Sequence, residues 1–189
     1  DRHMLSGFAP QITAEVALNN KQFGFLTGAV WVLSFGFMAI FMGSLADRFS
    51  RTRVMAFGVL VWSLCTAASG HAQNFEQMVL ARFFVATGEA ALVPAAVSLL
   101  AEVFSPQRRS TAVGVFFIGI PLGIGLAFVI AGTLGIQYGW RGTFNILGLA
   151  GAAFTVPLLL LRDGREAVAS HERGAPFRQQ VRSVIAAVQ

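Results

Sequence analysis

Polar residues in this chain are gathered into short clusters that separate long apolar runs. Five runs are long enough to cross a bilayer: residues 23–46, 54–71, 75–104, 110–137 and 142–161. At about 1.5 Å rise per residue, roughly 20 apolar residues traverse the hydrocarbon core as a helix. None of these runs alternates apolar with polar residues, so a membrane barrel is excluded. The helix is the remaining form that satisfies its own backbone in lipid. Residues 1–16 are also apolar but too few to cross alone, and read as part of a first helix, expected to be truncated. The pattern therefore predicts an all-α integral membrane protein. Its six-helix bundle covers residues 1–161, and a polar segment follows at 162–189.

That segment changes character after Pro176. Phe177, Val181, Val184, Ile185 and Val188 fall on one helical face, with Arg178 and Arg182 off it. Two readings fit: an amphipathic helix lying on the inner leaflet, or a linker helix packed on protein.

Composition supports the membrane reading. Hydrophobic residues make up 55% of the chain and charged residues 12%, against roughly 25% charged in soluble domains. The net charge of +5 would suit a nucleic-acid partner if it were clustered, but the basic residues are spread over short connections. Their distribution sets orientation instead. The turns at 47–53 and 105–109 and the tail hold ten Lys and Arg, and the opposite connections hold two, Lys21 and Arg141. Positive-inside bias places the 47–53 turn and the tail in the cytoplasm, and the expected location is a bacterial inner membrane. The single Cys65 excludes an internal disulfide, and His3, His71 and His171 are too scattered for a metal site. No phosphate-binding loop or nucleophile–base pair is present, so neither an enzyme nor an ATP-driven pump is expected, and no cofactor.

Four charges lie at membrane depth: Asp1, Arg2, Arg82 and Glu89. Each costs about 2.5–3.5 kcal/mol at the bilayer centre on insertion scales, so such groups need partners or water. Glu89 is halfway along its run, and Asp1 is 14 residues before Glu15, roughly 21 Å at helical rise. Arg82 and Glu89 are seven residues apart and share a helical face. The four charges sum to zero, which makes mutual pairing an expectation. Functionally, a carboxylate beside a switchable Arg can bind and release a proton; structurally, the same set could form a static network joining helices.

The turn GSLADRFSRTR at 43–53 carries a further pattern. It resembles the cytoplasmic loop motif of the major facilitator superfamily. Gly43, Asp47, Arg48 and Arg53 match, while Ser50 replaces the second glycine and Thr52 the first of the final basic pair. RFFVATG, 82–88, is similar to the Arg-Gly motif of that superfamily's fourth helix, with Ala86 where the first glycine is usual. GIPLGIG, 119–125, resembles the Gly-Pro-Gly pattern of its fifth helix. Asp1-Arg2, Gly88-Glu89-Ala90 and the adjoining stretches look most like the spinster-like branch; the anion/cation symporter branch shares the first two signatures.

The resemblance implies the amino-terminal half of a twelve-helix transporter, with a substrate cavity at midplane between two bundles. Its partners would be protons, a small-molecule or lipid substrate, membrane lipids and the carboxy-terminal six-helix half. Spinster-like resemblance implies lysophospholipids, sphingoid derivatives or hydrophobic solutes, and the other branch implies organic anions. Asp1, Arg2, Arg82 and Glu89 would serve proton coupling and the cavity. Gly43, Asp47, Arg48, Arg51 and Arg53, with Glu102 as a local partner, would form a cytoplasmic gate; orientation alone is the simpler role for these charges. Pro121 withdraws a backbone donor, so a bend is expected there, and with Gly119 and Gly123 it would make a hinge. Glycine pairs 24/28, 119/123 and 135/139 are expected mainly to pack helices closely.

Overall fold

The computed structural model describes residues 2–161, apart from the side chains of Arg2 and Asp47. The amphipathic segment expected at 177–188, and Asp1, lie outside the described residues. Helices make up nearly all of what is described, and no strand occurs among those residues. They are α1 (Arg2–Gly7), α2 (Ala9–Glu15), α3 (Asn20–Gly24), a π-helical turn (Phe25–Ala29), α4 (Val30–Arg48), α5 (Arg51–Ser69), α6 (Phe75–Val103) and α7 (Pro106–Leu160).

These segments follow the apolar runs, and their ends have local causes. Between α1 and α2 the bonding continues through Phe8, whose N–H donates to the Met4 carbonyl and whose carbonyl accepts from Ile12. Asn19 and Gln22 form a reciprocal capping box at the start of α3, with bonds of 2.8 and 3.0 Å. Asn74 caps α6 through the Gln77 N–H. Only Phe49 and Ser50 separate α4 from α5. α7 is too long for one crossing, and its backbone leaves helical geometry at Gly139 (φ 64°, ψ 179°), a conformation essentially reserved for glycine. The result is two limbs, 106–138 and 140–160. The expected bend at Pro121 is not a break, because Gly139 is the position in α7 with non-helical dihedrals.

The bundle has a basic end, carrying the 47–53 turn, and a far end, where Gly139 lies. α5 packs on α6 and α7, α4 packs on α6, and α1 packs on α7. Large apolar side chains are on the outside: Leu33, Phe37, Leu122, Val129, Phe154 and Leu160 are all exposed. Between α5, α6 and α7 much of the interior is small, including Ala86, Ala90, Ala91, Ser63, Thr66 and Thr143, while Phe8, Trp140 and Phe144 fill the far end. Lipid tails are as apolar as leucine, so where the small residues meet, association comes from close backbone approach. Asn20–Ala46, Arg51–Ser69, Phe75–Val103 and Pro106–Leu160 are each long and apolar enough to cross a membrane.

Apart from Gly135, the glycines that make close contact are not those the sequence pairs. A Cβ on Gly58 would lie 2.7 Å from the Gly88 carbonyl oxygen, and one on Gly88 would lie 2.4 Å from that of Gly58. α5 and α6 therefore cross in backbone contact. Gly148 and Gly151 play the same part between α7 and Ser63 or Ala67 of α5, and Gly135 receives the Phe8 ring. Around Gly24, Gly28, Gly119 and Gly123 there is open space among the described residues, so these two pairs make no close contact within them.

Candidate functional site at the centre of α6

Glu89 is the midpoint of the 29-residue α6, one residue after the Gly58–Gly88 crossing. That crossing fixes its height and azimuth, since neither backbone can turn without collision. Its carboxylate accepts a 2.5 Å hydrogen bond from Trp31 Nε1 of α4. The indole is itself stacked on Phe35, one turn along α4, with ring centroids 4.7 Å apart and planes at 21°. Trp31 is absent from the sequence-based site; its only signal was an aromatic pair at i, i+4 spacing in a run already rich in aromatics.

Arg82 lies two turns toward the far end on the same helix and is 4% exposed. Its guanidinium sits 4.8 Å from the centroid of the Phe144 ring, and Glu89 acts on it as the opposing charge. Phe144 is fully buried and meets Trp140 edge-on at 6.0 Å and Phe8 at 6.2 Å. A cation over an aromatic face is stabilised by the ring quadrupole, more strongly where water is excluded. Arg82 is thus held where α6, the second limb of α7 and the first helical segment converge. The full four-charge pairing involves Asp1 and the Arg2 side chain, which lie outside the described residues.

At the basic end Arg51 is 4% exposed, and its Nη1 donates to the Glu102 carboxylate, linking the start of α5 to the end of α6. Arg48 and Arg53 are exposed, Arg48 beside Phe41, Leu45 and Phe49. Gly43 has open space around its α-carbon. The Asp47 side chain is not described. An apolar groove of about 710 Å³ opens nearby, lined by Met55, Leu99, Phe104, Ala112 and Phe116. Gly123 of the expected hinge lines a second cavity of about 380 Å³, together with Trp62, Ser63, Thr66 and Phe154. Gly119 and Pro121 are exposed on the first limb of α7. No cluster of metal-ligating side chains occurs among the described residues.

Known proteins resemble this chain in sequence and fold. The chain matches the Major Facilitator Superfamily model over residues 1–188. It is 34% identical over 161 residues to an MFS-type efflux pump of Mycolicibacterium smegmatis, an alignment covering 85% of this chain and 37% of that protein. It is 26% identical over 192 residues to protein spinster of Drosophila melanogaster, covering 98% and 31%. A crystal structure of a bacterial homologue of the human lysosomal transporter spinster, inward-facing and occupied, superposes with a TM-score of 0.77. Its identity is 28%, and the match covers 86% of this chain and 41% of that one. The chain spans about a third of the length of these curated relatives. With apolar helices of membrane length and a family match along nearly its whole length, the chain belongs to the Major Facilitator Superfamily and within it is similar to the spinster proteins.

Proposed function

We propose that this chain is the amino-terminal part of a proton-coupled secondary transporter that moves a lipid-like or hydrophobic solute by alternating access. The observation that carries the proposal is Glu89: a carboxylate at the centre of a membrane-length helix, opposed by the Arg82 cation on the same face. A carboxylate at that depth is costly as an anion without partners, and gaining or losing a proton changes the balance within the pair. Asp1 and Arg2 of the first helix belong to the same proposed site. Family membership supports transport, and the likeness to spinster proteins supports a lipid-like cargo.

The basic end supplies the second half of the reading. Arg48 and Arg53 with Gly43 and Asp47 would meet a second, carboxy-terminal bundle when the transporter opens outward and part from it when it opens inward. Arg51, tied to Glu102, would hold that surface in place. The open space around Gly43, Gly119 and Gly123 supports the same arrangement, because close approach by another helix would use glycines that this bundle leaves uncovered. Gly119, Pro121 and Gly123 would then be where the bundles slide. Orientation would follow the positive-inside bias, with the basic end and the 162–189 linker cytoplasmic in a bacterial inner membrane.

The test is uptake of a labelled lysophospholipid by full-length protein in proteoliposomes under an imposed pH gradient. Glu89→Gln is expected to abolish gradient-driven uptake while leaving a downhill leak. Gradient-driven uptake unchanged in Glu89→Gln would remove the carboxylate from the mechanism. A second reading, symport of a small organic anion, is favoured by a relative 30% identical over 168 residues, a probable L-galactonate transporter of Escherichia coli. Uptake of a sugar acid without uptake of the lysophospholipid would decide for it.

A further inference from the structure

Trp31 lies outside the proposed proton site, yet it donates a hydrogen bond to Glu89 from another helix. We infer that Trp31 is a positioning residue for Glu89, holding the carboxylate on the seam between α4 and α6 and carrying its change of protonation into α4. The inference rests on the proposed proton site and adds to it the element that senses the proton.

Three features support it. Indole Nε1–H is a donor with no acceptor capacity, so it suits a carboxylate and gains nothing from a competing donor. A hydrogen bond to an ionised oxygen is roughly twice as strong as one between neutral groups; protonating Glu89 therefore weakens its hold on α4. The second feature is the π-helical turn Phe25–Ala29, which ends two residues before Trp31, with the Val30 N–H reaching back to the Phe25 carbonyl. A π turn inserts one residue into a helix, and in an uninterrupted α-helix Trp31 would be rotated by about 100°. The irregularity is what aims the indole at α6. The third is the Trp31–Phe35 stack, which fixes the ring plane and passes any tilt of the indole along α4.

Glu89 has other charged groups on its own helix and on those packed against it, Glu76 and Glu102 of α6 and Arg108, Arg109 and Arg141 of α7 among them. Arg82 shares its helix. The first helical segment contributes His3, with Asp1 and the Arg2 side chain outside the described residues. The charges of the neighbouring helices are at their ends, Lys21, Asp47 and Arg48 for α3 to α4 and Arg51 and Arg53 for α5. None of these comes from the middle of α4, so Trp31 is the link by which α4 can respond.

The test is infrared difference spectroscopy, acid minus neutral, on full-length protein in lipid without substrate. In the unmodified protein a protonated-carboxyl band is expected that Glu89→Gln removes. Trp31→Phe keeps the stack and removes the donor; that band is expected to change frequency and the pH at which it appears. Trp31→His, which retains a ring N–H, is expected to restore part of the change. Trp62→Phe, as a control for general packing, is expected to leave the band alone. A Glu89 band identical in Trp31→Phe and the unmodified protein, with both equally heat-stable, would overturn the inference while leaving the proton site standing. Absence of any Glu89-dependent band in the unmodified protein would overturn both.

Discussion

The two ends of the bundle are held together differently. At the far end Arg141, just past the Gly139 break, ties α2 and the connection after α5 to one guanidinium. Its Nη1 donates to the Gly70 and Ala72 carbonyls at 3.0 and 2.8 Å, its Nε donates to Glu15 at 3.1 Å, and its plane lies 4.3 Å from the Trp140 ring. Beneath it is a core of large side chains, Phe8, Ile12, Met78, Trp140 and Phe144. At the basic end the buried cluster is small, made of Ala46, Ala91, Ala95 and Ala96 with Val54 and Met55. The Arg51–Glu102 ion pair spans it beside an open apolar groove. At the far end Arg141 caps the carbonyl at the end of α5 and one in the connection after it. The basic end leaves charged and glycine surface exposed, as a region that must meet and release another bundle would.

Variants at the two ends should separate accordingly when thermal or denaturant unfolding of the full-length protein is measured. Phe144→Ala should have the largest effect, about 3 kcal/mol, because it opens a cavity shared by Phe8 and Trp140 and removes the aromatic face under Arg82. Arg141→Ala should follow at about 2 kcal/mol, since it strips two carbonyls of their donor. Gly88→Ala should cost about 1–3 kcal/mol by forcing α5 and α6 apart, and should impair pH-driven uptake more than its stability change explains, because Glu89 moves with it. Glu102→Gln should cost less than about 1 kcal/mol, as its carboxylate is partly exposed. Equal losses from Glu102→Gln and Arg141→Ala would erase the contrast between the ends.

Much of this architecture was legible in the chain because membrane helices are written as length and polarity. The runs at 54–71 and 75–104 correspond to α5 and α6 within a few residues. The break in α7 was legible as well, where Gly139 and Arg141 interrupt the apolar run. The positions of Arg82 and Glu89 along α6 followed from counting residues within the apolar run. Their neighbours did not. Trp31 and Phe144 are 58 and 55 residues from Glu89 in sequence, and nothing local marks one aromatic among many as the one that turns inward. Ala17 shows a smaller limit: it closes α2 with φ 52°, a position where glycine is the usual signal.

Arg141 and the glycines mark the division most sharply. Sequence alone determined that the described residues are helical, how many apolar runs the chain has, which end is basic and how far along its helix each charge sits. These depend on residue type and spacing, and the bilayer imposes one answer on them. Only the tertiary structure decided which glycines touch, which aromatic meets Glu89, and that Arg141 is a clamp rather than a loop charge. Those are outcomes of helix rotation and crossing, where a single π turn changes the face presented by about 100° without altering hydropathy at all.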